Sequence, residues 1–228
     1  MAQPGRAATF DGPPRGEPVL VATDFDDTLR GEFDPDFKGR QYPGAKELFA
    51  ALDAGPDGRD VHNDVHLVTA RDGHVRKAEA AMDATGIAYS SISYGNVFSG
   101  AMVLLHRFKA AENQKVEDIE TLLTRNPGHQ AVLFGDTVQA DSKVFRRLLE
   151  DHPDRVAVAM LHEPRGFPAA DDLRGRDDVV IFRDYAEAAK ALLERGLISA
   201  AQCQGVVAAV DAHPEREVDG RVVVDWDK

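Results

Sequence analysis

Cysteine is nearly absent from this chain. Cys203 is the only one among 228 residues, so no internal disulfide can form. No spacing of His or Cys suits a zinc site. Long apolar runs are also missing, which argues against a transmembrane helix and a membrane anchor of that kind. Residues 1–18 carry Gly, Pro, Ala and Arg rather than the continuous apolar stretch of a secretory signal. They read as a flexible tail, and with the lone cysteine they make a cytoplasmic protein the expectation. Positive charge is scarce: 27 Lys and Arg against 39 Asp and Glu give a formal net charge of −12. A broad basic face for nucleic acid is therefore not expected, and anionic membrane surfaces would repel the chain. A local basic pocket is compatible with that total. No repeat of roughly 20 to 50 residues is present.

What is present suits one packed domain. Hydrophobic residues make up 43% and charged residues 29% of the chain, enough for a core and a solvated surface. Residues 19–195 alternate short apolar runs with helical patterns. Residues 19–22, 65–68, 131–134, 156–160 and 179–182 read as buried strands, with 90–94 as a further candidate. Helices follow at 45–52, 75–82, 116–123, 144–149 and 184–194, with 99–108 as another candidate. Continuous apolar strands alternating with helices indicate an α/β fold, a parallel sheet covered on both faces. Such sheets bind ligands at the carboxyl ends of their strands. Residues 196–228 read as a helix over 200–210 and a strand or tail at 221–226. The helix packs on the core or pairs with another subunit.

The strand ends carry the chemistry. After the first strand comes Thr23-Asp24-Phe25-Asp26-Asp27-Thr28-Leu29, and after the second comes Thr69-Ala70-Arg71. Lys115 stands at the start of an amphipathic helix. After a later strand comes Gly135-Asp136-Thr137-Val138-Gln139-Ala140-Asp141. A carboxylate attacking a phosphoryl group is repelled by its charge, and a divalent cation plus a lysine offset that repulsion. Asp24 and Asp136 suit Mg2+, which takes oxygen ligands and keeps waters; the Asp26 carbonyl could add a third oxygen. The Asp26 carboxyl is suited to protonate the leaving oxygen and then activate water. Thr69 suits the phosphoryl oxygens, and Lys115 the developing charge. Each residue alone reads as a cap, a turn or a solvated lysine; in this order, at one end of one sheet, they read as a site.

This order of motifs resembles the haloacid dehalogenase superfamily. Asp24-Phe25-Asp26-Asp27-Thr28 is similar to its first motif, Thr69 to its second, Lys115 to its third, and Gly135-Asp136 through Asp141 to its fourth. The resemblance implies a Rossmann-like three-layer α/β/α sandwich. It also implies a phosphatase in which Asp24 forms an aspartyl-phosphate and Asp26 is acid and base. Asp24, Asp26 and Asp136 would hold magnesium, Asp141 would orient Lys115 or a water, and Thr28 would keep the loop in shape. A closer likeness, to the catalytic domain of actin-patch-type phosphatidate phosphatases, rests on Asp26-Asp27-Thr28, Thr69-Ala70-Arg71, Lys115 and Phe134 through Asp141. Residues 156–162 resemble the strand and histidine that follow in that group. Asp72 and Val138 depart from it, where the group often has proline and glycine.

Between Asp27 and Thr69, and between Thr69 and Lys115, there is too little chain for a large cap. A small or absent cap suits a bulky substrate such as a lipid headgroup, unless residues 33–42 close over the site as a lid. Arg71 grips a substrate phosphate or makes a surface ion pair. His162 belongs to the site rim as a substrate contact. His74 reads as a helix-start residue and His66 as a core residue. The expectation is a phosphomonoesterase acting on a phosphorylated substrate. The alternatives are a small-metabolite phosphatase or phosphotransferase, and a binding module that keeps the fold without turnover.

Overall fold

The computed structural model describes residues 19–59, 65–72, 75–95, 104–213, 215–218 and 221–224. The expected tail at 1–18 and His74 lie outside the described residues. The elements are β1 (Val19–Thr23), α1 (Ala45–Ala54), β2 (Val65–Asp72), α2 (Val75–Asp83), β3 (Ser91–Gly95), α3 (Leu104–Arg125) and β4 (Gln130–Asp136). They continue with α4 (Asp141–Asp151), β5 (Val156–His162), β6 (Val179–Phe182), α5 (Tyr185–Glu194), α6 (Ala200–Asp211), β7 (Glu215–Val218) and β8 (Arg221–Val224).

Among the described residues, six strands form one sheet in the order β3-β2-β1-β4-β5-β6, and every pairing in it is parallel. Successive side chains of a strand point to opposite faces, and β1 feeds both. Val19 and Val21 pack with Leu48, Phe49, Leu52 and Val206 of α1 and α6 on one side. Leu20 and Ala22 pack with Val116, Ile119, Val144 and Leu148 of α3 and α4 on the other. The result is the three-layer α/β/α sandwich. Its strands read as unbroken apolar runs because both faces are buried.

The chain runs from β1 outward through β2 and β3, then returns to place β4 on the other side of β1. That reversal opens a crevice at the carboxyl ends of β1 and β4, the expected ligand position in an open α/β sheet. Thr23 is level with Leu67 of β2 and Phe134 of β4. Asp24, Thr69 and Asp136 therefore emerge at one end.

Four local expectations change. Lys115 does not start its helix: α3 begins at Leu104, so Lys115 sits in its middle. The separate helix expected at 99–108 is, from Leu104 on, the first turns of α3. β2 runs on to Asp72, with a register irregularity between Thr69 and Asp72. The C-terminal strand is half of an antiparallel hairpin, β7 with β8.

Helix α6 packs against α1 and α5. Ser199 opens it with a capping box to Gln202. The Gln202 amide also donates to the carbonyls of Ala51 (3.2 Å) and Gly55 (2.8 Å) at the end of α1. Gly44 starts α1 at φ 78, and a Cβ there would meet Val210 of α6 at 2.8 Å. Glycine is thus required twice over, by conformation and by the close approach of α6.

Candidate active site

The site begins where β1 stops being a regular strand. Asp24 still donates its N–H to the Phe134 carbonyl (2.9 Å). The chain then turns sharply: Leu29 N–H returns to the Phe25 carbonyl (2.9 Å), and Phe25 itself is buried in the core. Asp27 is the one non-glycine with positive φ among the described residues, at 53, a conformation costing roughly 1 kcal/mol. This turn is what allows two carboxylates, Asp24 and Asp26, to share one crevice. Asp24 is buried, and Asp26 is half-buried.

Four charged groups meet under the turn. Lys115 Nζ lies 3.1 Å from Asp24 Oδ1 and 2.6 Å from Asp141 Oδ1. Asp24, Asp136 and Asp141 are all buried, with one oxygen of each within 4.8 Å of the others. The second Asp141 oxygen accepts the Asp136 N–H at 3.2 Å. Asp136 Oδ1 accepts the N–H groups of Val138 (2.6 Å) and Gln139 (2.8 Å). Asp136 Oδ2 is buried with no hydrogen-bond partner.

Burial pushes the Asp24 carboxyl up to about 7, although Lys115 pulls it down. Burial, then the Asp141 and Asp24 charges, pushes Asp136 well above the usual carboxylate range. Lys115 is lowered by burial but raised more by Asp141 and Asp24, so it stays charged. Fully ionised, three carboxylates against one ammonium would leave two negative charges unbalanced in a buried space, which is why Asp24 and Asp136 are pushed up; a cation joining them would favour the ionised forms. The orphaned Asp136 oxygen and the oxygen-only donor set fit a divalent cation. Asp24 and Asp136 would hold it; both Asp141 oxygens are already engaged.

Gly135 explains the glycine in Gly135-Asp136. A Cβ there would lie 2.5 Å from Asp141 Oδ2 and 2.6 Å from Asp141 Cβ. Only glycine lets the first turn of α4 press its carboxylate against the end of β4. Thr69 is buried on β2, two residues past the level of Thr23. Arg71 is on β2, but its side chain lies outside the described residues.

His162 and Thr28 both lie deep in the fold. His162 is not an open rim residue: it is 1% exposed. Its Nδ1 lies 2.6 Å from the Asp27 carbonyl and its Nε2 3.2 Å from the Arg183 carbonyl, so neither nitrogen is turned to a substrate. The Thr28 hydroxyl is buried without a hydrogen-bond partner; instead, the Thr28 carbonyl accepts from Tyr185 Oη at 2.7 Å. The loop is held by Asp27, to which the sequence reading gives no role. The Asp27 carboxylate accepts from the N–H groups of Glu32 (2.9 Å), Phe33 (2.9 Å) and Asp34 (3.1 Å). Its only signal in the sequence is its place in the first motif.

Those three N–H groups begin a short flap, where bridges join Arg30 to Gln41 and Gly31 to Lys38. Tyr42 Oη closes its base on Asp34 Oδ2 (3.2 Å). The flap is far smaller than a cap domain, and among the described residues the segment between Thr69 and Lys115 belongs to the sandwich itself. A cavity of about 430 Å³ lies behind the flap, against His162, Phe167 and Tyr185. None of Asp24, Asp26, Lys115 and Asp136 lines it.

Residues 21–163 match the family described as phosphatidate phosphatase APP1, catalytic domain. The chain belongs to that family. The match spans β1 through β5 and takes in Asp24, Asp26, Thr69, Lys115, Asp136 and Asp141. This is a family of the haloacid dehalogenase type, so the chain is a phosphatase, a phosphoric monoester hydrolase acting on a phosphorylated substrate. No curated protein matches the chain. Among the described residues no helix is long and apolar enough to cross a membrane.

Proposed function

We propose that the chain is a magnesium-dependent phosphomonoesterase that works through an aspartyl-phosphate on Asp24 and takes a lipid phosphate as substrate. The observation that carries the mechanism is the buried group of Asp24, Lys115, Asp136 and Asp141 at the crevice between β1 and β4, with one Asp136 oxygen unpartnered. Magnesium, when bound by Asp24, Asp136 and the Asp26 carbonyl, would neutralise the phosphoryl oxygens and bring the phosphate against the nucleophile.

The chain's own groups do the rest. An Asp24 oxygen attacks phosphorus, and the bond to the leaving oxygen breaks. Asp26, half-buried, gives that oxygen its proton. Asp26 then takes a proton from water, whose oxygen attacks the phosphorus of the aspartyl-phosphate and frees phosphate and Asp24. Lys115 stays protonated beside Asp24 and offsets the charge that develops, and Asp141 holds it there. Thr69 donates its hydroxyl to a phosphoryl oxygen. Arg71, two residues on, contacts the same phosphate. The catalytic unit is residues 19–195, with α6 packed on it, and a cytoplasmic setting goes with the single thiol.

Two points support a lipid phosphate: the family match, and, among the described residues, a flap in place of a cap, which suits a bulky alcohol. The test is hydrolysis of para-nitrophenyl phosphate and of dispersed phosphatidate, with magnesium and with EDTA, by the wild type and Asp136→Asn. Both esters should be cleaved by the wild type with magnesium only, and Asp136→Asn should lose the response to the metal. Full activity in EDTA would remove the metal from the mechanism; inertness toward phosphatidate alone would remove the lipid.

A further inference from the structure

Asp26 works only if its carboxyl stands at the leaving oxygen, and it sits on the turn beyond β1, where it is bridged to Arg30. A further restraint comes from its neighbour. Asp27 is fully buried, 0% exposed, and takes the positive φ that sets the direction of the turn. Such a conformation persists where the surroundings over-determine it, and here they do so from three directions. The Asp27 N–H donates to the Arg30 carbonyl at 2.7 Å. Its carboxylate gathers three consecutive N–H groups of the flap. Its carbonyl receives His162 Nδ1 at 2.6 Å.

His162 is itself fixed. Both of its nitrogens face carbonyls, which only accept, so the shorter contact takes the proton-bearing nitrogen. Its ring lies 4.3 Å from that of Tyr42 at the flap base and 5.3 Å from that of Phe182 at the end of β6. The imidazole thus ties the edge of the sheet to the residue after Asp26.

We propose that Asp27 and His162 form a latch that positions Asp26 for proton transfer. His162 holds the Asp27 carbonyl, and the Asp27 carboxylate carries the flap, so the flap and the acid share one support. Both are positioning residues: neither touches the reacting atoms. The proposal rests on the reading of Asp26 as the general acid.

The experiment measures kcat/KM with magnesium for a good leaving group, para-nitrophenyl phosphate, and for a poor one, an alkyl phosphate. It compares the wild type with Asp26→Asn, Asp27→Asn, His162→Phe and His162→Asn, each first checked by its melting temperature. This ratio reports only the steps through formation of the aspartyl-phosphate, where the acid serves the leaving group. Asp26→Asn should lose about 100-fold or more on the alkyl ester and much less on the aryl ester. Asp27→Asn and His162→Phe should show the same selective pattern, about tenfold on the alkyl ester and little on the aryl ester. His162→Asn, whose amide nitrogen can stand where Nδ1 stood, should recover the alkyl ester. Should His162→Phe not fold, Asp27→Asn and His162→Asn carry the comparison. Equal losses on both esters in the latch variants, beside a selective loss in Asp26→Asn, would overturn the latch. Equal losses in Asp26→Asn itself would overturn the reading of Asp26.

Discussion

A carboxylate is useful here because of what stands one atom away from it. Asp141 is held between the Lys115 ammonium, the Asp136 N–H and the bare face of Gly135. Gly135→Ala therefore tests the whole arrangement without touching a charged group. Its Cβ would overlap Asp141, and overpacking of this kind costs about 1–3 kcal/mol. Asp141 must shift and Lys115 with it, so a fall in melting temperature and about a 100-fold loss of kcat/KM are expected. Wild-type turnover in Gly135→Ala would mean that the position of Asp141 is immaterial. At this scale the gathering of Asp24, Asp26, Thr69 and Asp136 at one end of the sheet is legible in the sequence, because each lies just past an apolar run. The bonds that Asp27 and His162 make are not, although the sequence singles out His162 as a rim residue. Their partners are backbone groups five to seven and 135 positions away, and no local pattern encodes such bonds.

The strands are the most legible elements, since burial on both faces forces an unbroken apolar run on each of them. Helix α3 is less so. Its first turns, through Gln114, carry no clean apolar stripe in Leu104-Leu105-His106-Arg107-Phe108-Lys109, so the periodic part from Val116 looks like the whole helix. β7, with the sequence Glu-Arg-Glu-Val, shows no strand pattern at all, because a two-stranded hairpin buries little.

The join between β5 and β6 makes a prediction at this scale. Glu163, just past β5, accepts the Ala169 N–H at 2.8 Å and pairs with Arg174 and Arg183. Burial raises its carboxyl, but the Ala169 N–H and the two guanidinium groups outweigh that, and it lies below its ordinary value. A carboxylate lowered on folding adds stability above its unfolded value of about 4.3, and loses it as pH falls through the folded one. Glu163→Gln should therefore melt below the wild type at pH 7, with the gap closing as the pH drops below about 4. A gap that stays constant over that range would show that Glu163 contributes by packing rather than by charge.

The whole molecule carries a net charge of −12, which bears on how a lipid phosphate is reached. An anionic vesicle repels such a protein, and the repulsion acts over the Debye length, about 30 Å at about 0.01 M salt and about 8 Å at about 0.15 M. Hydrolysis of vesicular phosphatidate should rise with salt over that range, whereas hydrolysis of soluble para-nitrophenyl phosphate should not. A vesicle rate that falls with salt would reveal a cationic docking face that outweighs the net charge. The parallel class of the sheet is legible in the sequence at this scale, but its strand order is not. That order depends on the return of the chain across β1, which joins residues more than a hundred positions apart.

The chemistry of the site turns on Asp24 as nucleophile. The most direct test is to stop turnover with acid, digest the protein and look by mass spectrometry for the phosphoryl group. One phosphoryl group on the peptide holding Asp24, formed only with magnesium and absent in a folded, inactive Asp24→Asn, is the predicted result. Turnover by Asp24→Asn, or the group found on another residue, would contradict the account.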